Sequence, residues 1–405
     1  MNNIKLGLGT QILMGIIVGF ILGFSSPALT KLLSPLGTVF LRMLKMLIVP
    51  LVFFSITNGI CKMGNVKQLV TVGGRFMLYI VVTSGLCAAL GALVGMGINL
   101  GGGTTEFLMD GAQVKNVDYN FINNVVSWFP ENIVDAMVKQ DMLQIIVFAM
   151  FLGVAILSLG KKVESVVKLI DNCTDIMLKI TDFVIAFSPV GIASLMATMV
   201  TTISGATVKD VIALIVADYV TAIFVLIVMY PLILKVLAGL GPITFFRKIT
   251  EPMIVAVTTT SSAATLPVSL RTVGTKLGIP ENIYGFTLPL GNTCGMNGFA
   301  IFIGLCCVFC SHIYGIEITF AKMILYIFLG IILSIGAAGV KGAGIVMSTV
   351  LLQALGMPLS VIPIIAAIWP VIDPAHTLLN NTSDIVGTAV IAKRLGKMDM
   401  STYEQ

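Results

Sequence analysis

The chain has 405 residues, of which 57% are hydrophobic and only 11% are charged, and its mean hydropathy is +1.03. A soluble domain carries about 25% charged residues, so this composition excludes an ordinary soluble fold. The net charge of +5 comes from basic residues spread between apolar runs, which argues against a nucleic-acid-binding face. The seven cysteines are odd in number and mostly lie within apolar runs, which argues against a disulfide framework.

Long apolar runs follow one another along the chain. Because about 20 apolar residues cross the hydrocarbon core, we predict an all-α integral membrane protein with about eight transmembrane helices and some segments that fit poorly. The first run, 11–30, lacks a small-residue cleavage site and is predicted to be a span rather than a signal peptide. The later runs are 76–105, 142–160, 183–208, 252–270, 282–316 (interrupted only by His312), 323–340 and 342–372.

Basic residues cluster in the connections between these runs, and counting spans places the clusters on one side, together with the N-terminus. The clusters are Lys62, Lys67 and Arg75; Lys161, Lys162 and Lys168; Lys235, Arg247 and Lys248; and Lys393, Arg394 and Lys397. The acidic stretch 106–141 falls on the opposite side. Basic connections mark the cytoplasm, so we predict a multi-pass plasma (inner) membrane protein with both termini cytoplasmic.

Three apolar segments after residue 240 are interrupted by small or hydroxyl residues: 258–267, 291–298 and 336–344. Non-helical backbone at membrane depth persists only where it is buried in protein or lines a cavity. Two such breaks in matching places indicate a site between inverted repeats, each break forming the tip of a re-entrant hairpin. Helix packing through small residues is the alternative, and it explains one such segment better than three.

The last apolar segment carries a polar stripe, because Asp373, His376, Thr377, Asn380 and Asp384 recur at three- and four-residue spacing. Ionisable residues inside a span are costly and usually functional, although a purely structural network is the alternative. Chemically, Asp373 suits a substrate ammonium and Asn380 suits a carboxylate or an amine. Asp384 and backbone carbonyls suit a hard cation such as sodium.

The hairpin tips are predicted to supply the opposite wall of the site. Ser261, Ser262 and the hairpin amides, with those of Gly339 and Val340, suit a substrate carboxylate. His376 either titrates near neutral pH or simply accepts a hydrogen bond. Lys341, at the tip of the glycine-rich hairpin, is either solvated or in contact with a substrate anion.

These features predict a secondary transporter of a small polar organic solute rather than an enzyme or a channel. Ser261 or Ser262 with His376 and Asp384 imitates a catalytic triad, but no Gly-x-Ser-x-Gly elbow accompanies them. A channel needs a continuous polar pore, whereas the polar groups here concentrate in one cluster. Three further residues suggest a metal site but are better explained by core packing: Cys306, Cys307 and Cys310.

The order of these pieces resembles the dicarboxylate/amino acid:cation symporter family, which includes the glutamate transporter homologues. The resemblance covers nearly the whole chain. It rests on the motif 44–54 (LKMLIVPLVFF), the serine-rich hairpin ending Thr265-Leu266-Pro267, the glycine-rich hairpin and the last stripe. It implies a glutamate-transporter-like homotrimer, in which a transport domain moves along a scaffold by an elevator mechanism.

The resemblance also implies a division of the chain. Residues 1–240 would hold the N-terminal helices, with a trimerisation scaffold mainly at 36–62 and 142–237, and with helices 10–30 and 74–100 associated with the transport domain. Residues 241–395 would form the transport core. Its parts would be hairpin 1 (242–272), broken helix 7 (281–312), hairpin 2 (320–358) and helix 8 (360–395).

By match to the family pattern, Asp373 binds the substrate amino group and Asn380 the substrate backbone. Ser261 and Ser262 line the α-carboxylate side, and the rest of the implied substrate site is His376, Thr377, Gly339 and Val340. The implied sodium ligands, mostly backbone carbonyls, belong to Asp384, Met296, Asn380 and Gly291. A further cation site of the family is matched by Thr83 and Ser84.

Three positions depart from the family pattern. Asn297 and Trp369 replace acidic residues, which implies fewer coupled cations, with the site near Thr83 and Ser84 lost. His376 replaces an arginine, and an imidazole is a weaker partner for a side-chain carboxylate than a guanidinium. The chain is most similar to the sodium/serine–threonine symporter branch.

We therefore predict sodium-coupled symport of a small neutral amino acid such as serine, threonine or alanine, with no cofactor beyond the coupling ion. The alternative is a proton-coupled or sodium-independent transporter of an acidic amino acid or a dicarboxylate.

Overall fold

The computed structural model describes residues 8–61, 72–103, 126, 128–200, 205–337 and 343–404, and all regular structure within these ranges is helical. The helices are α1 (Leu8–Ser25), α2 (Pro27–Cys61), α3 (Gly74–Gly97), α4 (Ile133–Lys139), α5 (Met142–Leu159), α6 (Glu164–Val200), α7 (Gly205–Phe224), α8 (Pro242–Lys248), α9 (Thr250–Thr259), α10 (Ser262–Lys276), α11 (Glu281–Cys294), α12 (Asn297–Ile313), α13 (Phe320–Gly336), α14 (Ala343–Ala354), α15 (Ile362–Arg394) and α16 (Met400–Glu404). Helix α7 continues to Ala238 through two π-helical turns.

Six helical stretches in the described ranges are long and apolar enough to cross a membrane: Ala28–Cys61, Gly74–Gly97, Gln144–Thr198, Thr207–Ala238, Glu281–Ile313 and Leu359–Arg394. Three shorter apolar helices accompany them, at Thr10–Ser25, Phe320–Gly336 and Gly344–Ala354. Helices satisfy their own backbone hydrogen bonds, which is what a lipid environment demands. The predicted all-α membrane class is therefore confirmed, whereas the number of about eight spans stays a prediction.

The helices pack in two groups. In the first group, α6 packs along α1 and α2, and α2 also packs against α5. In the second group, α3 packs along α12 and α13, while α15 lies against α9, α11 and α12. Glycines permit the close approach of α3 and α12, because a Cβ added at Gly91 would overlap the carbonyl of Ile301, and one at Gly304 would overlap the carbonyl of Ala88. These contacts bury α12 almost completely.

Two helices pack in a way that bears on the predicted division of the chain. Helix α1 lies mainly along α6, although residues 10–30 were expected with the transport domain. Helix α7 contacts α12, α15 and α3, although residues 142–237 were expected in the scaffold. These contacts describe packing, so the predicted division of the chain and the relative movement of its parts stay predictions.

Two of the interrupted segments form a hairpin and a broken helix. Helices α9 and α10 pack together around a tip at Thr260, whose φ of 48° is a left-handed conformation that non-glycine residues seldom adopt. The seventh predicted helix divides into α11 and α12 at Gly295 and Met296. Helices α13 and α14 flank the glycine-rich segment, and the predicted residues Gly339, Val340 and Lys341 lie outside the described ranges.

Candidate substrate and cation site

The polar stripe of α15 is a buried feature of the fold. His376, Thr377, Asn380 and Asp384 are buried, and Asp373 is half-buried one turn before Thr377. The helices around α15 give each of these residues a different neighbour. The stripe therefore divides into local sites that are best described one at a time.

Asn380 holds the break between α11 and α12. Its Oδ1 accepts a hydrogen bond of 2.8 Å from the backbone N–H of Gly298, and its Nδ2 lies 3.1 Å from Met296 Sδ. The backbone N–H of Met296 donates to Ser334 Oγ on α13 at 3.2 Å. Backbone groups freed by a helix break must find other partners when buried, and side chains from α15 and α13 supply them here. The structure thus brings together two predicted ligands, Asn380 and Met296.

Asp384 faces the last turn of α11. Its Oδ1 is buried and has no hydrogen-bond partner among the described residues. A Cβ added at Gly291 or at Gly295 would overlap this carboxylate, so only glycine lets the α11 backbone approach it so closely. A buried carboxylate is unfavourable unless it is paired or coordinates a metal ion, and sodium takes carboxylate and carbonyl oxygens. Asp384 and the backbone at Gly291 therefore fit the predicted cation site.

Asn297, at the start of α12, lies in a hydrogen-bond network. Its Oδ1 accepts from Ser84 Oγ at 2.9 Å and from Thr83 Oγ1 at 3.4 Å. Its Nδ2 donates to Ser383 Oγ at 2.8 Å and to Tyr230 OH at 3.2 Å. A side-chain amide offers two donors and two acceptor positions; both donors and one acceptor position have close partners here, while the single Thr83 proton is shared with the nearer carbonyl of Tyr79 at 2.8 Å. This network supports the interpretation that Thr83 and Ser84 serve a neutral amide here instead of a cation.

His376 forms a buried hydrogen-bonded pair with Asp218 that the sequence interpretation missed. Its Nε2 lies 2.9 Å from both Oδ1 and Oδ2 of Asp218 on α7, and the two side chains are only 3% and 0% exposed. The ring centroids of Trp369 and Phe302 lie 5.6 and 6.1 Å from that of the imidazole. Asp218 is the only charged residue in the run 211–234, so an intramembrane acid was visible in the sequence as a functional signal.

The tip of the α9–α10 hairpin is joined to α15. Ser261 caps α10, since its Oγ accepts from the backbone N–H of Ala264 at 3.3 Å. Ser262 is buried, and its Oγ accepts from Asn381 Nδ2 at 3.2 Å, while the same nitrogen donates to the carbonyl of Thr377 at 2.8 Å. The serine tip and the stripe are therefore neighbours, as predicted, and Asn381 is the linking residue that sequence reasoning did not identify.

The three clustered cysteines occupy the core, where Cys306 Sγ and Cys310 Sγ lie 3.8 Å apart and Cys307 is buried beside them. Among the described residues, no group of three His, Cys, Asp or Glu side chains is placed to hold a metal ion.

On the cation side, the candidate site is built from the buried carboxylate of Asp384 and the nearby backbone. On the substrate side it has serines, amides and the paired imidazole.

Comparison with known proteins places the whole chain in a family. The profile of the sodium:dicarboxylate symporter family matches residues 8–394. A C4-dicarboxylate transport protein of Bacillus subtilis (strain 168) is 28% identical over 404 residues, covering 97% of this chain and 94% of the relative. A proton/sodium-glutamate symport protein of Geobacillus stearothermophilus is 26% identical over 412 residues, covering 99% and 97%. A proton/glutamate-aspartate symporter of Escherichia coli (strain K12) is 28% identical over 418 residues, covering 98% and 95%.

These relatives confirm the resemblance to cation symporters over almost the whole length of the chain. Their names specify dicarboxylates, glutamate and aspartate, so they do not support the serine–threonine branch. They also make cation-coupled symport, with sodium or a proton, the activity of the group. The chain belongs to the sodium:dicarboxylate symporter family of membrane transporters.

Proposed function

We propose that this protein carries a small neutral α-amino acid, such as serine, threonine or alanine, across the plasma membrane together with sodium. The observation that carries the substrate class is the buried contact between His376 Nε2 and the carboxylate of Asp218. A second carboxylate on the substrate needs a cationic donor with free N–H groups, which an arginine fork supplies best. In this chain the corresponding imidazole already faces a carboxylate.

The charge of this pair is unfavourable for an acidic side chain. If His376 is protonated, the pair with Asp218 is neutral overall; if His376 is neutral, the pair is negative. Neither state offers net positive charge to a substrate carboxylate, and the rings of Trp369 and Phe302 make the surroundings of the imidazole apolar. A small uncharged side chain suits such surroundings better.

The remaining substrate groups have separate partners in this proposal. Asp373 takes the ammonium group, because a carboxylate is its strongest partner. Ser261, Ser262 and the hairpin amides take the α-carboxylate, supported by the contact of the serine tip with α15 through Asn381. Asn380 takes the substrate backbone, and its side-chain oxygen also accepts the hydrogen bond from the backbone N–H of Gly298.

The cation is assigned to Asp384 and the nearby backbone of α11. A bound sodium ion would neutralise the buried carboxylate. Occupancy of the cation site would then affect both α11 and α12, because the two helices meet at the break where Asn380 and Ser334 bind the backbone.

In the same proposal the protein is a homotrimer with cytoplasmic termini. The group containing α2, α5 and α6 is its static scaffold, and the group around α12 and α15 moves as an elevator.

A second candidate function is favoured by the relatives. Their names specify glutamate, aspartate or C4-dicarboxylates, and two of them specify protons as well as sodium or instead of it. On that reading the cargo is an acidic amino acid or a dicarboxylate, His376 acts as a cation towards it, and a proton gradient can drive uptake.

One experiment separates the two candidates: uptake of labelled L-serine into proteoliposomes with an inward gradient of sodium, and with choline in its place. We expect sodium-dependent uptake that threonine inhibits and that aspartate and succinate do not. Asp373→Asn is expected to abolish it by removing the ammonium partner. Uptake of aspartate or succinate but not serine, or uptake driven by a pH gradient at zero sodium, would replace the first candidate by the second.

A further inference from the structure

A groove of about 800 Å³ runs along the outside of the second helix group. One wall is α3, which contributes Leu78, Val82 and Leu86, and the other is the extension of α7, which contributes Leu232 and Val236. These side chains are among the exposed large hydrophobic residues, with Leu78 64% and Val236 68% exposed. In a membrane protein such a surface meets lipid tails, so the groove has the polarity of an acyl-chain site.

Two arginines line one end of this groove. Arg75 is the second residue of α3, and Arg394 is the last residue of α15. The Nε of Arg394 donates to the carbonyl of Leu237 at 2.9 Å, which fixes that guanidinium at the mouth. Within the described part of the chain, neither arginine forms an ion pair, and the groove has no acidic lining residue. This end of the groove, its mouth, therefore carries two cationic groups, and the walls of the groove beyond it are apolar.

The dimensions match one lipid leaflet. From Arg75 to Leu86, α3 rises by about 16 Å, which is close to half of the ~30 Å hydrocarbon core. The charged mouth then lies at the depth of a headgroup, and the apolar walls follow the acyl chain inward. Basic pockets between transmembrane helices on the cytoplasmic side are places where anionic headgroups bind, and the basic residues here mark that side.

We infer that this groove binds an anionic phospholipid, with its phosphate between Arg75 and Arg394 and one acyl chain along α3. A guanidinium recognises a phosphate by charge-assisted, bidentate hydrogen bonds. Among the described residues no acidic side chain lines the groove beside the two arginines, which favours a lipid with net negative charge over a zwitterionic one, whose own ammonium or choline would meet the same cationic groups.

The floor of the groove connects this lipid to the transport core. Tyr79 and Thr83 line it, and both belong to the polar cluster around Asn297. Tyr79 OH donates to the carbonyl of Ser383 at 3.1 Å, and Thr83 Oγ1 donates to Asn297 Oδ1 at 3.4 Å. A lipid chain over this face of α3 would shield these hydrogen bonds from water and press α3 against α15. The bound lipid is thus a stabilising ligand of the core.

The test compares Arg75→Gln with the matched control Lys235→Gln. Lys235 is an exposed basic residue on the α7 extension that does not line the groove. Binding of labelled phosphatidylglycerol and of labelled phosphatidylcholine to the detergent-purified, full-length protein is titrated for each. We expect the wild type to prefer phosphatidylglycerol. Arg75→Gln should weaken its binding about fivefold, the effect of one basic side chain near an anionic surface, and Lys235→Gln should leave it unchanged.

A second variant, Val82→Trp, fills the apolar part of the groove without changing its charge. It keeps the test decisive if Arg75→Gln does not fold. It is expected to weaken binding of both lipids, since Val82 lines the wall and is 50% exposed. Equal affinity of the wild type for the two lipids would overturn the proposal. So would equal losses in Arg75→Gln and Lys235→Gln, because that result would mean general surface charge and no site.

Discussion

Two polar clusters flank the break between α11 and α12, and they differ in how fully their own hydrogen bonds are satisfied. Asp384 Oδ1 is buried with no donor among the described residues, whereas the amide of Asn297 has four partners. A buried carboxylate without a partner is stabilised by binding a cation, while a satisfied amide gains nothing from one. The comparison teaches that the type of one residue decides whether such a cluster satisfies its own hydrogen bonds or leaves a buried carboxylate oxygen without a donor.

The largest effect should come from removing the charge of Asp384. Asp384→Asn leaves the shape of the side chain but removes the group that attracts sodium. Loss of one member of a buried ion pair costs about 3–5 kcal/mol, which corresponds to more than a hundredfold in affinity. We expect the sodium concentration for half-maximal serine uptake to rise accordingly. Asp182→Asn, an exposed acid on α6, is the control and should change nothing; sodium dependence unaltered in Asp384→Asn would remove it as a ligand.

The glycine opposite this carboxylate provides a steric test of the same cluster. Gly291→Ala places a methyl group against Asp384, and overpacking of this kind costs about 1–3 kcal/mol. Sodium affinity is expected to fall by about five- to a hundredfold. Gly285→Ala in the same helix is the matched control, because its methyl would meet only Glu281 Cγ at an ordinary 3.6 Å. Equal behaviour of the two variants would place the ion elsewhere.

Asn297→Asp would turn the satisfied cluster into one that resembles Asp384. The new carboxylate accepts hydrogen bonds but cannot donate to Tyr230 or Ser383, and its charge is buried. Without sodium we expect a loss of about 1–3 kcal/mol in stability, with most of it recovered when sodium is added. Thermal unfolding with and without sodium measures this. A melting temperature that responds to sodium no more than the wild type would contradict a latent ion site at this position.

Asp218→Asn sharpens the comparison with a second buried carboxylate, one that already has a partner. The variant frees His376 from its carboxylate, so an acidic substrate can approach the imidazole. We expect inhibition of serine uptake by aspartate to strengthen about tenfold, the value of a hydrogen bond between charged groups. His376→Gln is the companion variant, which removes the imidazole and should not gain aspartate sensitivity. Unchanged selectivity in Asp218→Asn would leave the pair a purely structural role.

Periodicity and glycine content predicted two local features of the candidate site. The spacing of residues 373–384 gave one buried face of α15, and the glycines at 291–298 marked the place where the chain breaks between α11 and α12. These features are local, because a helix turn or a break depends on residues close in sequence. Contacts between distant elements had no such signal.

Asp218 illustrates what sequence spacing leaves out. It lies 158 residues from His376, on a helix that was expected to belong to the scaffold. The partners of Asn297 likewise come from α3, α7 and α15, and only Thr83 and Ser84 were expected there, through the family resemblance. Which helices meet depends on side-chain packing over the whole fold, and a single sequence does not display that.

The neutral amide at position 297 also bears on how steep a gradient the protein can maintain. Each monovalent cation that moves inward contributes about 2.3 kcal/mol per 100 mV of membrane potential. A factor of ten in concentration corresponds to about 1.4 kcal/mol. At a membrane potential of about 100 mV, one coupled cation fewer therefore lowers the attainable ratio of internal to external solute about fiftyfold. If position 297 holds no cation, as proposed, the carrier reaches equilibrium at a lower internal concentration than one that couples an additional cation. Under the same proposal, a smaller fall in external solute is enough to reverse the direction of net transport.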